Sequence, residues 1–220
     1  MSRLLIIPAA MIMSIVVLTS IAHAKVDPYV EDQTAEWGDV SEPSNVVPDA
    51  LVSTGLYGQL STEDDVDAFV YDFAEPAQNW PLSIIIPVCG DHFADFYPTA
   101  ALIGPGLDVP DDAETLPFEV PEDMGVLVFN ELSKSKERVE NSQWDPPVYA
   151  FTEFKTDIEA GEYVVAVWDT EGQTGAYTLV TGALHPEFKN RDANEINAVF
   201  DNIFYTGDWM GQECGSVAKQ

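Results

Sequence analysis

Thirty-eight acidic residues against nine basic ones in 220 leave a formal net charge of −29, which by simple repulsion excludes nucleic acid and anionic lipid surfaces as partners. Apolar residues make up 46% and aromatics 11% of the chain, too much for a disordered polymer, so the acids must decorate a packed core. Such a charge reads either as a cation-binding or saline-adapted surface, or as a solvated skin that keeps an exported protein soluble; the second reading is favoured.

The first 24 residues have the form of a secretory signal. Arg3 supplies a positive start, Leu4 to Ile21 is nearly all apolar, and Ala22-His23-Ala24 is an A-x-A site, so cleavage is expected after Ala24 and the folded part is expected in the periplasm or outside the cell. The apolar run approaches the roughly 18 residues that span a bilayer. Membrane anchoring by residues 4–22 is therefore the alternative, and membrane contact is expected only if the signal stays uncleaved. Residues 25–54 form an acidic lead-in carrying Pro28, Pro43 and Pro48 without sustained periodicity, which predicts an extended segment lying along the domain.

From Gly55 the pattern changes to short alternating runs. Val66 to Phe73 sets Phe69, Tyr71 and Phe73 against Val66, Ala68 and Val70, and Leu82 to Val88 places Leu82, Ile84, Ile86 and Val88 on one face. Further runs are Ala100 to Ile103, Gly125 to Phe129, Val148 to Phe154, Glu162 to Trp168 and Ala176 to Thr181. Seven or eight short strands punctuated by Pro and Gly predict an all-β fold, an antiparallel sandwich or jelly roll over residues 55–189. The connections between Cys89 and Pro147 are long for a compact domain, which marks them for a functional role. In residues 190–220, Ile196, Val199, Phe200, Ile203 and Phe204 recur at helical spacing, with Asp192 and Glu195 as a capping pair and Gly207 as a stop. This predicts one C-terminal α-helix docked on the sandwich by its apolar stripe.

Two cysteines in an exported chain most simply form one disulfide, Cys89 to Cys214. It would close a loop of about 125 residues, a crosslink worth about 4–5 kcal/mol in the loop-entropy account, and would pin the tail near the end of the Leu82–Val88 strand.

The chain was searched for chemistry by residue type and spacing. It contains no HExxH, GxSxG, Walker loop, dinucleotide glycine motif or CxxC, and once His23 leaves with the signal only His92 and His185 remain for any imidazole-based catalyst. Cys89-Gly90-Asp91-His92 sets a thiol near an imidazole, an option that a disulfide at Cys89 removes. The acidic run Glu63-Asp64-Asp65-Val66-Asp67 offers oxygen ligands of the kind calcium takes, with Asp64, Asp65 and Asp67 as the metal candidates and Asp91 or Asp95 as reinforcement from a neighbouring loop. The run lacks the glycine and closing glutamate of an EF-hand. The competing and favoured reading has Asp64 and Asp65 accepting backbone hydrogen bonds in the turn before a strand. Of the tryptophans, Trp168 ends a strand and is expected in the core, whereas Trp144 in the loop region is the better contact candidate.

With the strands placed, Gly58-Gln59-Leu60, Asp65-Val66-Asp67-Ala68-Phe69, the Leu82–Val88 strand, Gly161-Glu162-Tyr163 and Gly175-Ala176-Tyr177-Thr178-Leu179 resemble, in order, the strand motifs of the bacterial pre-peptidase C-terminal domain. This is a small jelly-roll-like sandwich of secreted bacterial proteins. The resemblance covers about half of the chain after the signal; the middle is longer than in that family and no peptidase accompanies it. It implies an accessory or binding role. The expectation is therefore an exported, non-catalytic module that meets a protein or polysaccharide partner in the envelope or outside the cell and has no catalytic residues. Two alternatives stand beside it, a structural domain stabilised by calcium and an unrecognised hydrolase.

Overall fold

A computed structural model describes residues 27–30, 45–88, 93–110, 115–129, 136–139 and 148–184 of the chain. The signal segment with Ala24, the two cysteines, Asp91, both remaining histidines, Trp37, Trp144, Trp209 and the expected helix at 190–206 lie outside the described residues.

Twelve strands are described: β1 (Asp27–Val30), β2 (Asn45–Val46), β3 (Thr54–Leu60), β4 (Asp67–Phe73), β5 (Ala77–Pro87), β6 (Pro98–Gly104), β7 (Gly125–Val128), β8 (Lys136–Val139), β9 (Val148–Phe151), β10 (Phe154–Ile158), β11 (Gly161–Asp169) and β12 (Gly175–Thr181). They form two sheets. The first runs β1-β3-β12-β5-β9-β8, with β10 also paired to β5; the second runs β2-β4-β11-β6-β7. The all-β sandwich expected from the alternation is the architecture observed, and the described part contains no helix.

Between the described strands all pairings are antiparallel except two at the sheet edges, where β1 lies parallel to β3 and β2 parallel to β4. The proline-bearing lead-in thus contributes one short strand to each sheet. The run Val148 to Phe154 is two strands rather than one, because the eleven-residue β5 takes β9 along Ile85–Pro87 and β10 along Ala77–Leu82 on the same edge. Near its start β5 turns at Asn79, which adopts a left-handed φ of 52° and donates its amide to Asp157 Oδ1 at 2.9 Å. Asparagine is among the side chains that tolerate this conformation.

Period-2 alternation sorts the core between the sheets. From the second sheet come Phe69, Tyr71, Phe73, Leu102, Tyr163, Val165 and Val167; from the first come Leu56, Trp80, Leu82, Ile84, Ile86, Tyr177 and Leu179, all buried in one cluster. One end of this interior is aromatic. Trp80 meets Tyr71 and Phe73 edge-on at 5.3 and 5.5 Å, Phe73 meets Tyr163 at 5.6 Å, and the Trp80 indole donates to the Ala50 carbonyl at 2.8 Å. Edge-to-face pairs of this kind add about 0.5–1.5 kcal/mol beyond the burial of their area.

The second sheet is covered on its other face as well. Val66, Ala68, Ala101, Ile103, Val126, Val164, Ala166 and Trp168 form a second cluster, beneath Leu116, Phe118, Val120 and Met124 of the segment before β7. Phe118 packs edge-on against Trp168 at 5.4 Å. Because both faces are buried, β6 and β11 read as continuous apolar runs rather than as alternating ones.

Candidate functional site

The motif residues meet in two places, and both are joints of the scaffold. Strand β12 places Tyr177 opposite Gly58 of β3, and the ring lies so flat across the glycine that a Cβ there would fall 2.3 Å from Tyr177 Oη. Tyr163 of β11 covers Gly104 of β6 in the same way, with a Cβ position 2.1 Å from the ring, and its hydroxyl donates to the Pro105 carbonyl at 3.0 Å. A glycine opposite an aromatic lets the ring lie on the neighbouring backbone, which pins strand register.

From its place over Gly58, the Tyr177 hydroxyl reaches across the sandwich and donates to Asp67 Oδ2 at 2.5 Å. Both residues are fully buried. The separation is at the short end of the range for an O–H···O hydrogen bond. Further along, Tyr71 of β4 bonds to the Thr181 hydroxyl of β12 at 3.1 Å, also buried. Burial pushes the Tyr71 phenol well above its ordinary range, and the Thr181 bond only partly offsets this; burial does the same to Tyr57 on β3. The Asp-Val-Asp-x-Phe strand and the Gly-x-Tyr-x-Leu strand are therefore bolted together through two buried side-chain bonds between opposite sheets.

The three metal candidates have three different partners. Asp64 Oδ1 accepts from the Thr62 hydroxyl at 2.8 Å, and Asp65 Oδ2 accepts from the Ser61 amide and hydroxyl at 2.6 and 2.8 Å. These bonds close the turn between β3 and β4, with the Asp65 amide donating to the Thr62 carbonyl. Asp67 belongs to the strand proper and shares the inward parity of Phe69, Tyr71 and Phe73. Among the described residues, no group of three or more His, Cys, Asp or Glu side chains gathers as a metal would require.

The β3–β4 turn belongs to a cluster of three loops at one end of the sandwich. Gly172, in the β11–β12 turn with φ of 68°, packs on Glu63, its Cβ position 3.1 Å from that of Glu63. Asp169 organises the same turn: Oδ1 accepts from the amides of Glu171 and Gln173 at 2.8 and 3.0 Å, and Oδ2 accepts from the Tyr97 amide at 3.3 Å. The third loop, 93–97, is seated on Gly175 through Phe96 and Phe93, which leave 2.8 and 3.1 Å for any Cβ there. Lys136 of β8 then closes on this loop. Its ammonium donates to the carbonyls of Phe93, Ala94 and Phe96. Burial pulls the Lys136 ammonium below the ordinary lysine range, and the charge of Asp95 pushes it back up. Sequence reasoning passed over Lys136 because backbone carbonyls, its main partners, leave no mark in residue type.

No protein-family model matches the chain, and no curated protein matches it.

Proposed function

We propose that this chain is an exported, non-catalytic β-sandwich that serves as a binding or accessory module in the cell envelope or outside the cell, as the resemblance to the pre-peptidase C-terminal domain implies. What supports the reading is the use made of the polar motif residues. Asp67 and Tyr177 join the sheets, Asp65 closes a turn, and Asp169 holds three amides. Side chains so engaged serve rigidity, and a rigid sandwich carrying three braced loops is the form in which β-scaffolds present contact surfaces. Exposed Glu63, Asp64, Asp95 and Glu171 lie on those loops, so the partner is a protein or polysaccharide that tolerates or welcomes negative charge.

The reading is tested by capturing companions of the mature protein from its own envelope fraction at low and high salt, with a parallel panel of peptide, ester and glycoside substrates. One stoichiometric companion whose retention falls with salt, together with an inert panel, is the expected result. Turnover of any substrate that survives repurification would overturn it in favour of a hydrolase.

A further inference from the structure

Lys136 sits in a receptor built by other parts of the chain. Its Nζ donates to Phe93 O at 2.9 Å, to Phe96 O at 3.1 Å and to Ala94 O, so all three ammonium protons are used. The same nitrogen lies 3.9 Å from the centroid of the Tyr97 ring and 5.0 Å from that of Tyr149, where the negative faces of the rings attract a cation. The receptor is braced without the lysine. Asp169 Oδ2 holds the Tyr97 amide, and Phe93 and Phe96 rest on Gly175. Tyr149 stands on β9, fixed by its pairing with Ile86 of β5. We infer that loop 93–97 and Tyr149 form a binding site for a primary ammonium ion, and that Lys136 is its resident ligand, latching the edge strand β8 to the loop cluster.

The chemistry selects the ligand. Three converging carbonyls suit an ion with three N–H donors, and the two rings favour an organic ammonium over a strongly hydrated metal cation. A tetraalkylammonium has no donor to give, and a guanidinium offers its donors in a plane. Asp95 adds favourable charge from within the same loop.

The test is chemical rescue in the full chain. Lys136→Ala removes the ligand and leaves the carbonyls and rings in place, lowering the thermal midpoint by roughly 5–10 °C. Tens of millimolar n-propylammonium, which matches the three carbons and the head group lost beyond Cβ, is expected to recover at least half of that drop. Equal concentrations of tetramethylammonium or sodium chloride are expected to recover none, and the unsubstituted protein is expected not to respond. Equal effects of propylammonium and tetramethylammonium on the variant would overturn the inference. If the variant does not fold, acylation of the unsubstituted protein decides the matter. Lys136 is expected to react about tenfold more slowly than Lys155, whose side chain is 54% exposed; equal rates would overturn the inference.

Discussion

Replacing Tyr177 by Phe removes one hydroxyl from between the two sheets and leaves the ring over Gly58 untouched. The lost bond is 2.5 Å long and its acceptor, Asp67, is fully buried. Taking the donor from a fully buried carboxyl forfeits the bond and exposes the acceptor's desolvation cost, about 2–3 kcal/mol, whereas losing a bond between two hydroxyls, such as that between Tyr71 and Thr181, costs about 1 kcal/mol. Tyr177→Phe is therefore expected to cost about two to three times as much as Tyr71→Phe. In thermal midpoint this is roughly 5–10 °C against 2–4 °C for a chain of this size. The assay is equilibrium urea unfolding followed by fluorescence of the buried Trp80 and Trp168, with the slope expected to stay constant so that the midpoint reports stability alone. A cycle with Asp67→Asn isolates the pair and is expected to return a coupling of at least about 1 kcal/mol. Additive single effects, or a Tyr177→Phe loss no greater than that of Tyr71→Phe, would refute the assignment of this bond as the stronger joint between the sheets.

Gly58→Ala, whose new methyl would lie 2.3 Å from Tyr177 Oη, must shift the ring or the strand and is expected to cost about 3 kcal/mol; a thermal midpoint within a degree of the parent would contradict the close approach. The phenols of Tyr57 and Tyr71 are both raised by burial, so above pH ~10 the unfolded chain sheds protons that the folded chain keeps. Their contribution is intact below that pH and is lost as pH rises through it, about 2 kcal/mol between pH 10 and 11 for the pair. Urea midpoints measured at pH 9, 10 and 11 check this, and a flat line is the adverse result. Asp65→Ala removes the acceptor for the Ser61 amide and hydroxyl and is expected to cost about 1 kcal/mol, equally in excess calcium and in chelator. A loss seen only when calcium is present would return Asp65 to an ion site and displace its role in the turn.

The loop cluster and its ammonium were the least legible parts of the molecule. Ser61, Asp65 and Asp169 are ordinary turn residues by type, and nothing in their spacing says that the β3–β4 and β11–β12 turns touch through Glu63 and Gly172. Asp67 is a more instructive case. Counting it with Asp64 and Asp65 as ligands of one acidic run overlooks where the strand starts, for β4 begins at Asp67. Its spacing from Phe69, Tyr71 and Phe73 already carried the inward direction. The buried outer face of the second sheet also had a signal, since Tyr163 to Trp168 and Ala100 to Ile103 are unbroken apolar runs, the mark of strands covered on both sides.

By itself the sequence determined the class of fold and the inner face of its central strands, because side-chain direction along a strand alternates locally and needs no knowledge of the partner strand. Only the tertiary structure decided which strands pair, that the lead-in adds a parallel edge to each sheet, that Asp67 meets Tyr177, and that three carbonyls converge on Lys136. Each of these joins residues far apart in the chain through backbone groups or single side chains. Such contacts are selected by the closing of the whole sandwich, and no local pattern of residue types encodes them.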